Sequence, residues 1–336
     1  MANKFFSIIE TATAGDPKAP INTTAYLDTA AELSKVDRKN HVQVAANGKP
    51  LVYDLLITVS TPQGANTGNN GILAMQTSTA PNNWQTRNAV RMAHFLREEL
   101  RAEAGVQKGS IGRYAKNLRL NLNSAMKDLA YSIPGGVSTS SSQRMYAVED
   151  ITTTIASAGT DYFNGGTWDY SQLSVFVESI TSGVTQTDNF YLHVCGGHSG
   201  GGSQADPWDS VAVIQAYNER RQTVLDEATL TPGGDTQFID NDSPFFRIPE
   251  QDVSEDAYVQ LTLDEQDNPP YDRSIGGGAG DSMALQVADW STLPDQVTEV
   301  TYRIQAPLGL VKFDMKSSLA GAAFAFEIEC LGTYEM

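Results

Sequence analysis

At 336 residues, 40% hydrophobic and 19% charged, the chain has the length of two domains of roughly 150–170 residues and the composition of a folded globular protein, which excludes a disordered tail or a fibre. Its net charge of −17 and sequence pI near 4.5 exclude a coat that neutralises phosphate over its whole surface, and suit a protein that stays dispersed at high concentration. The two cysteines, Cys195 and Cys330, are too few for a disulfide framework; both fall in strand-like runs, where two free buried thiols fit better than one bridge.

The N-terminal MANKFFSIIETATAG offers a five-residue apolar run, shorter than the roughly 7–15 residues of a signal-peptide core. No stretch approaches the roughly 20 apolar residues of a membrane span. The expectation is a protein made and folded in the cytoplasm without its own export route.

Short β-branched and aromatic runs separated by Gly, Pro, Asn, Asp and Ser predict an all-β protein of sandwich or barrel type. In chain order, strands are expected at 41–46, 51–59 and 71–77. A helix follows, capped by Asn82 or Asn83, with Ala89, Ala93, Leu96 and Leu100, reinforced by Met92 and Phe95, at helical spacing until Gly105. A weaker strand is expected at 145–155, then strands at 172–180 and 188–195. After Pro207, Trp208-Asp209-Ser210 leads into a second helix over about 208–224, with Val211, Ile214, Tyr217 and Val224 inward. The remaining strands are 257–263, 283–288, 297–305, 308–314 and 323–331. In the last, Phe324, Phe326, Ile328 and Cys330 share one face and Ala325, Glu327 and Glu329 the other, so one side packs and one is wet.

Both helices follow a β run, a Gly/Ser/Thr-rich loop and a Pro with a Trp within three residues, a weak internal repeat. It predicts two copies of one β architecture, 1–160 with the helix at about 83–104 and 161–336 with the helix at about 208–224, meeting somewhere between 135 and 166. Charge is divided unevenly. Between Arg87 and Lys127 nine basic residues (Arg87, Arg91, Arg97, Arg101, Lys108, Arg113, Lys116, Arg119, Lys127) face three acidic ones, Glu98, Glu99 and Glu103. From Asp226 to Glu299 the only basic residues are Arg247 and Arg273, so the subunit is expected to be electrostatically polar.

No catalytic constellation emerges. Cys195-Gly196-Gly197-His198-Ser199-Gly200 superficially resembles the glycine-flanked serine of chymotrypsin-like proteases, but His193 and His198 lie in the same strand and loop, and no separate strand supplies a base for Ser199. A loop between elements is the better reading. His193, Cys195 and His198 fall short of the two close ligand pairs of a structural zinc site. Asp240-Asn241-Asp242 and Asp264-Glu265-Gln266-Asp267 lack calcium-loop spacing and read as solvated acidic loops. Paired carboxylates for glycoside hydrolysis cannot be told from surface acids. Trp84 and Trp208 sit at helix starts and only Trp168 and Trp290 in loops, which gives no sugar platform. No metal or cofactor is expected. The nine-residue basic segment is the one candidate site, read as arginines pairing with acids of a neighbouring subunit, as an inner surface meeting lipid head groups or genome, or as stems lying over a core.

Several blocks resemble the double jelly-roll major capsid proteins of tailless icosahedral bacterial viruses: Ala80-Pro81-Asn82-Asn83-Trp84 with RNAVRMAHFLREELRAEAGV and IGRYAKNLRL, then DNFYLHVCG, AYNERR, NPPYD at 268–272 and APLGLVKFD at 306–314. They touch both halves of the chain in order. The resemblance implies two eight-stranded jelly rolls side by side with short inserted helices. It also implies a homotrimer forming a pseudo-hexagonal capsomer, usually over an internal membrane, that contacts neighbouring capsomers, penton and minor capsid proteins and reads no nucleic-acid sequence. Location in the virion and absence of enzymatic activity follow as expectations. The alternative is a secreted or surface β-sandwich that binds or hydrolyses polysaccharide, against which the missing export signal and aromatic platform count.

Overall fold

The computed structural model of the chain describes residues 3–10, 21–60, 73–107, 109–127, 129, 142–149, 163, 168–178, 185–200, 209–220, 283–292, 299–317 and 323–336. It is mostly β-sheet. The first elements are β1 (Lys4–Glu10), β2 (Ile21–Asp28), α1 (Thr29–Asp37), β3 (Leu51–Ser60) and β4 (Leu73–Thr79). There follow α2 (Trp84–Glu103), α3 (Arg113–Lys116), a 3-10 turn at Ser124–Met126, β5 (Ser142–Arg144), β6 (Gln172–Glu178), β7 (Thr185–His193), β8 (Ser210–Ala212) and α4 (Val213–Arg220). The chain returns through β9 (Ala284–Thr292), β10 (Glu299–Pro307), β11 (Leu310–Ser317) and β12 (Ala323–Glu335).

Two sheets carry the main core. One has the order β1-β12-β3-β10 and the other β5-β2-β11-β4-β9. Their pairs are antiparallel except β2 with β5, which is parallel. Period-two alternation decides what each face does. In β12, Phe324, Phe326 and Ile328 are buried and Cys330 nearly so, while Ala325, Glu327 and Glu329 are only half-buried, as expected. Tyr53, Leu55, Ile57 and Val59 of β3 and Ala25, Leu27, Met75, Val311 and Phe313 of the second sheet meet them in one cluster. Each large side chain taken fully out of water stabilises by about 1.5–3 kcal/mol. The opposite face of the first sheet is polar and bridged across strands: Lys4 to Glu327, Asp54 to the Arg303 guanidinium, and Thr58 to Thr301 at 2.9 Å.

Apart from β5, the strands of both sheets come from the first 79 residues and from residues 284–335. β1 lies against β12 with Lys4 opposite Glu329, and β3 against β10 with Ser60 opposite Glu299. Strands from both sides of the expected division at 135–166 are thus hydrogen-bonded neighbours in both sheets. In sequence, residues 80–283 lie between β4 and β9, and of these β5 joins the second sheet beside β2. Within them, β6, β7 and β8 form a three-stranded sheet. With α2, α4 and Leu118, Leu120 and Leu122 it closes a second apolar core, which also receives Tyr26, Leu308 and Leu310 from the sandwich.

Two sharp corners depend on backbone conformation. The run 41–46, expected as a strand, makes only a single bridge, Val44 to Pro50. The chain turns at Gly48 (φ 82°), where an added Cβ would stand 2.7 Å from the His94 ring. Between β10 and β11, Gly309 N–H donates to the Ala306 carbonyl at 3.0 Å, closing a turn with Pro307 and Leu308 at its centre. Leu308 has φ 62°, at a turn position that normally takes glycine. It is held there by full burial in the second core and by its N–H to the Leu51 carbonyl.

Other expected elements are displaced or shortened. The second helix begins only at Val213, because 210–212 pair with β7 as β8. Of the weak strand expected at 145–155, residues 145–149 make a single bridge, Val148 to Phe6, just after the short β5 at 142–144, and 150–155 lie outside the described residues. The expected strand at 257–263, both acidic loops, Val224, Pro207 and Trp208 lie outside the described residues.

Candidate functional site

Helix α2 begins where the Asn83 side chain accepts the Thr86 N–H at 3.0 Å, the cap expected from sequence. Ala89, Val90, Ala93, His94 and Arg97 face inward, and Leu100 packs half-buried on the second core. Phe95 and Leu96, expected inside, are 54% and 44% exposed. The buried stripe is rotated because small residues at 89, 90 and 93 allow close approach and Arg97 turns its head group inward.

Arg97, Arg101 and Arg119 converge on α3. Arg97 donates to the Asn117 and Ala115 carbonyls at 3.0 and 3.2 Å, and Arg101 donates to the same Ala115 oxygen at 2.8 Å while bridging to Glu98. Arg119 donates to the Tyr114 carbonyl at 2.7 Å and to that of Asp169, with its guanidinium 4.1 Å from the Tyr114 ring centre. Burial, and then the neighbouring arginine charges, push the Arg97 pKa down to about 10; it remains a cation at neutral pH. Charge-assisted bonds to carbonyls make these three arginines ties between segments.

The rest of the basic segment is dispersed. Lys127 pairs with Asp209 and lies 5.5 Å from the Tyr191 ring centre. Lys116 is exposed and Arg113 opens α3. Arg87 and Arg91 are half-buried on α2, each with its Nε shielded from solvent and without a hydrogen-bond partner. Lys108 lies outside the described residues. Among the described residues, the basic side chains of this segment are spread over separate contacts.

Beside Arg91, helices α2 and α4 enclose a groove walled by Met92, Phe95, Leu96 and Tyr217, with Glu99 at its rim. Asn88 donates to the Tyr217 hydroxyl at 3.2 Å, and Trp84 meets the Tyr217 ring edge-on at 6.4 Å. Tyr217, expected inward from its helical spacing, packs half-buried on the second core and also walls the groove where α4 lies against α2.

The protease-like string resolves differently. Ser199 is tied through its backbone to Ser210, with Ser199 N–H donating to the Ser210 carbonyl at 2.8 Å. The serine beside a histidine is Ser210, whose Oγ is 2.6 Å from His193 Nδ1, while His193 Nε2 lies 3.0 Å from the Gly197 carbonyl. The carbonyl can only accept, so Nε2 carries the proton and Ser210 donates to Nδ1. Both residues are fully buried, and burial pushes the His193 pKa down to about 4. This is a neutral structural pair sealed from any substrate. His198 accepts the Ala212 N–H at Nδ1 and reaches Glu219 through Nε2 at 3.2 Å.

Cys195 and Cys330 are free and buried, with the Cys195 thiol pushed up to about 12 by desolvation. Among the described residues no group of three His, Cys, Asp or Glu side chains could hold a metal, and no helix is long and apolar enough to cross a membrane. No family model, no curated protein and no solved structure matches the chain.

Proposed function

We propose that this chain is a structural shell protein, a jelly-roll major capsid subunit that acts by assembly and not by catalysis. One observation carries the reading. Leaving aside β5, the sheets are β1-β12-β3-β10 and β2-β11-β4-β9, so that the first four strands alternate between the sheets and the last four return between them. That is the strand order of a jelly roll, an architecture that viral capsid domains share with lectins and cupins. Fold alone does not decide among these. The sequence blocks quoted above favour the capsid, and an interior filled by Tyr53, Leu55, Met75, Phe313, Phe324 and Phe326 suits a load-bearing wall.

On this reading the subunit is a homotrimer in a pseudo-hexagonal capsomer of an icosahedral virion, made in the host cytoplasm and meeting neighbouring capsomers, penton and minor capsid proteins and an internal lipid layer. A second jelly roll, as the double form requires, would be drawn from the insertion 80–283, to which β6, β7 and β8 belong. The test is the native mass of the purified chain by light scattering, followed by electron microscopy of concentrated samples. A species of three 36.3 kDa chains that closes into shells is expected; a strict monomer that forms no particles would reject the reading.

A further inference from the structure

We propose that Asp28 is a proton-operated latch between the sandwich and the second core, closed with a proton shared between its carboxyl and the Tyr170 hydroxyl and loosened when that proton leaves. Such a latch operates within one chain, whatever that chain assembles into.

Three observations carry it. First, Asp28 lies at the joint. It ends β2 and is 2% exposed. Its Oδ1 accepts the Ala31 N–H at 3.0 Å, and its Oδ2 accepts from Gln43 Nε2 at 2.8 Å and from the Tyr170 hydroxyl at 2.9 Å. Gln43 is clamped to the Leu120 backbone, and Tyr170 packs against the second core. Opening the joint therefore draws two of the three donors away from Asp28 and lets water reach it.

Second, all three donors are neutral, and the charges nearby are engaged with other groups. Glu32, one turn along α1 and also buried, accepts from Lys35 Nζ at 2.7 Å and from the Ala147 N–H at 2.8 Å. Arg144 donates to the Met126 carbonyl and stands 5.0 Å from the Tyr170 ring centre, and Arg119 donates to the Tyr114 and Asp169 carbonyls. The Tyr53 hydroxyl on β3, which also feels Asp28, donates to the Val42 carbonyl. A carboxylate enclosed among neutral donors is costlier than the neutral acid. Burial accordingly holds Asp28 above the usual carboxylate range, against the pull of its donors and of Arg144.

Third, the proton has one place to go. Gln43 Oε1 accepts the Leu120 N–H, which fixes Nε2 toward Asp28, so Gln43 and the Ala31 amide can only donate. The Tyr170 hydroxyl can reverse. Ionised Asp28 accepts from it; Asp28 protonated at Oδ2 donates to the phenolic oxygen, whose own hydrogen rotates away, and the other two bonds stay as they are. The joint takes one proton from water on closing and returns it on opening. It is tightest in acid, weakens as pH rises from the ordinary 3.8 of an open Asp28 to the higher value of the closed form, and is level above that.

The experiment follows amide hydrogen exchange of the full chain, corrected for the intrinsic effect of pH, from about pH 4 to about pH 9. The Leu120 N–H, held by Gln43, and the Ser171 N–H, held by the Arg119 carbonyl at 2.9 Å, report the joint; β3 and β12 report the sandwich. Carbon-13 NMR of the Asp28 carboxyl gives its midpoint directly. A midpoint above 3.8 is expected, with joint amides exchanging before those of β3 and β12. Protection at the joint should fall by up to about tenfold per pH unit until that midpoint and stay level beyond it. Asp28→Asn sets an amide against Gln43 and weakens the joint at every pH, but should remove the slope; Glu32→Gln should keep it. A midpoint at or below 3.8 in the parent overturns the latch, even if Asp28→Asn fails to fold. Equal protection at the joint and in β3 and β12 at every pH also overturns it, since the joint then never opens by itself. A slope that survives Asp28→Asn, or that vanishes in Glu32→Gln, assigns the proton elsewhere and rejects the proposal.

Discussion

The Gln43 carboxamide pairs with the backbone of Leu120 as a strand would, donating from Nε2 to the carbonyl at 3.1 Å and accepting the amide N–H at Oε1 at 2.7 Å. The same Nε2 donates to Asp28 at 2.8 Å, and Asp28 also caps α1 through the Ala31 N–H and accepts the Tyr170 hydroxyl. One side chain thus joins the sandwich to its insertion across a fully buried seam. Gln43→Ala should leave the Leu120 amide and carbonyl unpaired at a cost of about 2–4 kcal/mol. Urea denaturation would measure it, and a loss below about 0.5 kcal/mol would show that the seam is not a structural joint.

Arg119→Lys is a second test of how the basic segment works. Lysine keeps the charge but cannot reach the Tyr114 and Asp169 carbonyls together while lying over the Tyr114 ring. A loss of about 1–3 kcal/mol, with faster proteolysis between 105 and 117, is expected. If charge alone mattered, the substitution would be neutral in both assays.

His193 makes the pH dependence signed. Its folded pKa of about 4 lies below the 6.5 of an ordinary histidine, so between these values the unfolded chain binds the extra proton. Stability is therefore complete above about pH 6.5 and declines as pH falls toward 4, by at most about 3 kcal/mol. Asp28 and Glu32, both raised by burial, act in the opposite sense, with stability lost as pH rises through their folded values. The difference between the parent and His193→Gln, which can still accept from Ser210 and donate to Gly197, isolates the histidine. Denaturation at pH 7 and pH 5 should show a smaller drop in the variant; equal drops would place the protonation elsewhere.

Leu308 should show an inverted substitution order. Leu308→Ala loses core contacts worth about 2–5 kcal/mol and keeps a positive φ on a residue with a Cβ. Leu308→Gly loses slightly more apolar surface but removes about 1 kcal/mol of backbone strain. The glycine variant should therefore melt no lower than the alanine variant. A clearly higher melting temperature for alanine would mean that the corner relaxes to an ordinary conformation.

Local pattern made some of this legible. Period two marked β3 and β12 and assigned every residue of 324–330 to its observed face, and the Asn83 cap marked the start of α2. β1 and β2 escaped because Lys4-Phe5-Phe6-Ser7-Ile8-Ile9 does not alternate. The strand order escaped because β1 pairs with residues some 320 positions away, a separation on which local spacing is silent. Arg97 and Arg119 looked like surface charge because their acceptors are backbone carbonyls, and these leave no mark in a sequence. Gln43, a polar residue between Val42 and Val44, was the one local hint of a buried polar joint.

The position of β12 sets an order of events in synthesis. It lies between β1 and β3, so the first sheet cannot form while residues 323–335 remain in the ribosome, however long β1 and β3 have been available. Until then the apolar faces of both strands stay unpaired at their inner edges, the condition under which nascent chains aggregate or recruit chaperones. Closure must also bring strands together across the whole length of the chain, which makes it slow for a protein of this size. A nascent chain that has not yet exposed 323–335 therefore cannot hold the finished first sheet, whatever else of it has folded.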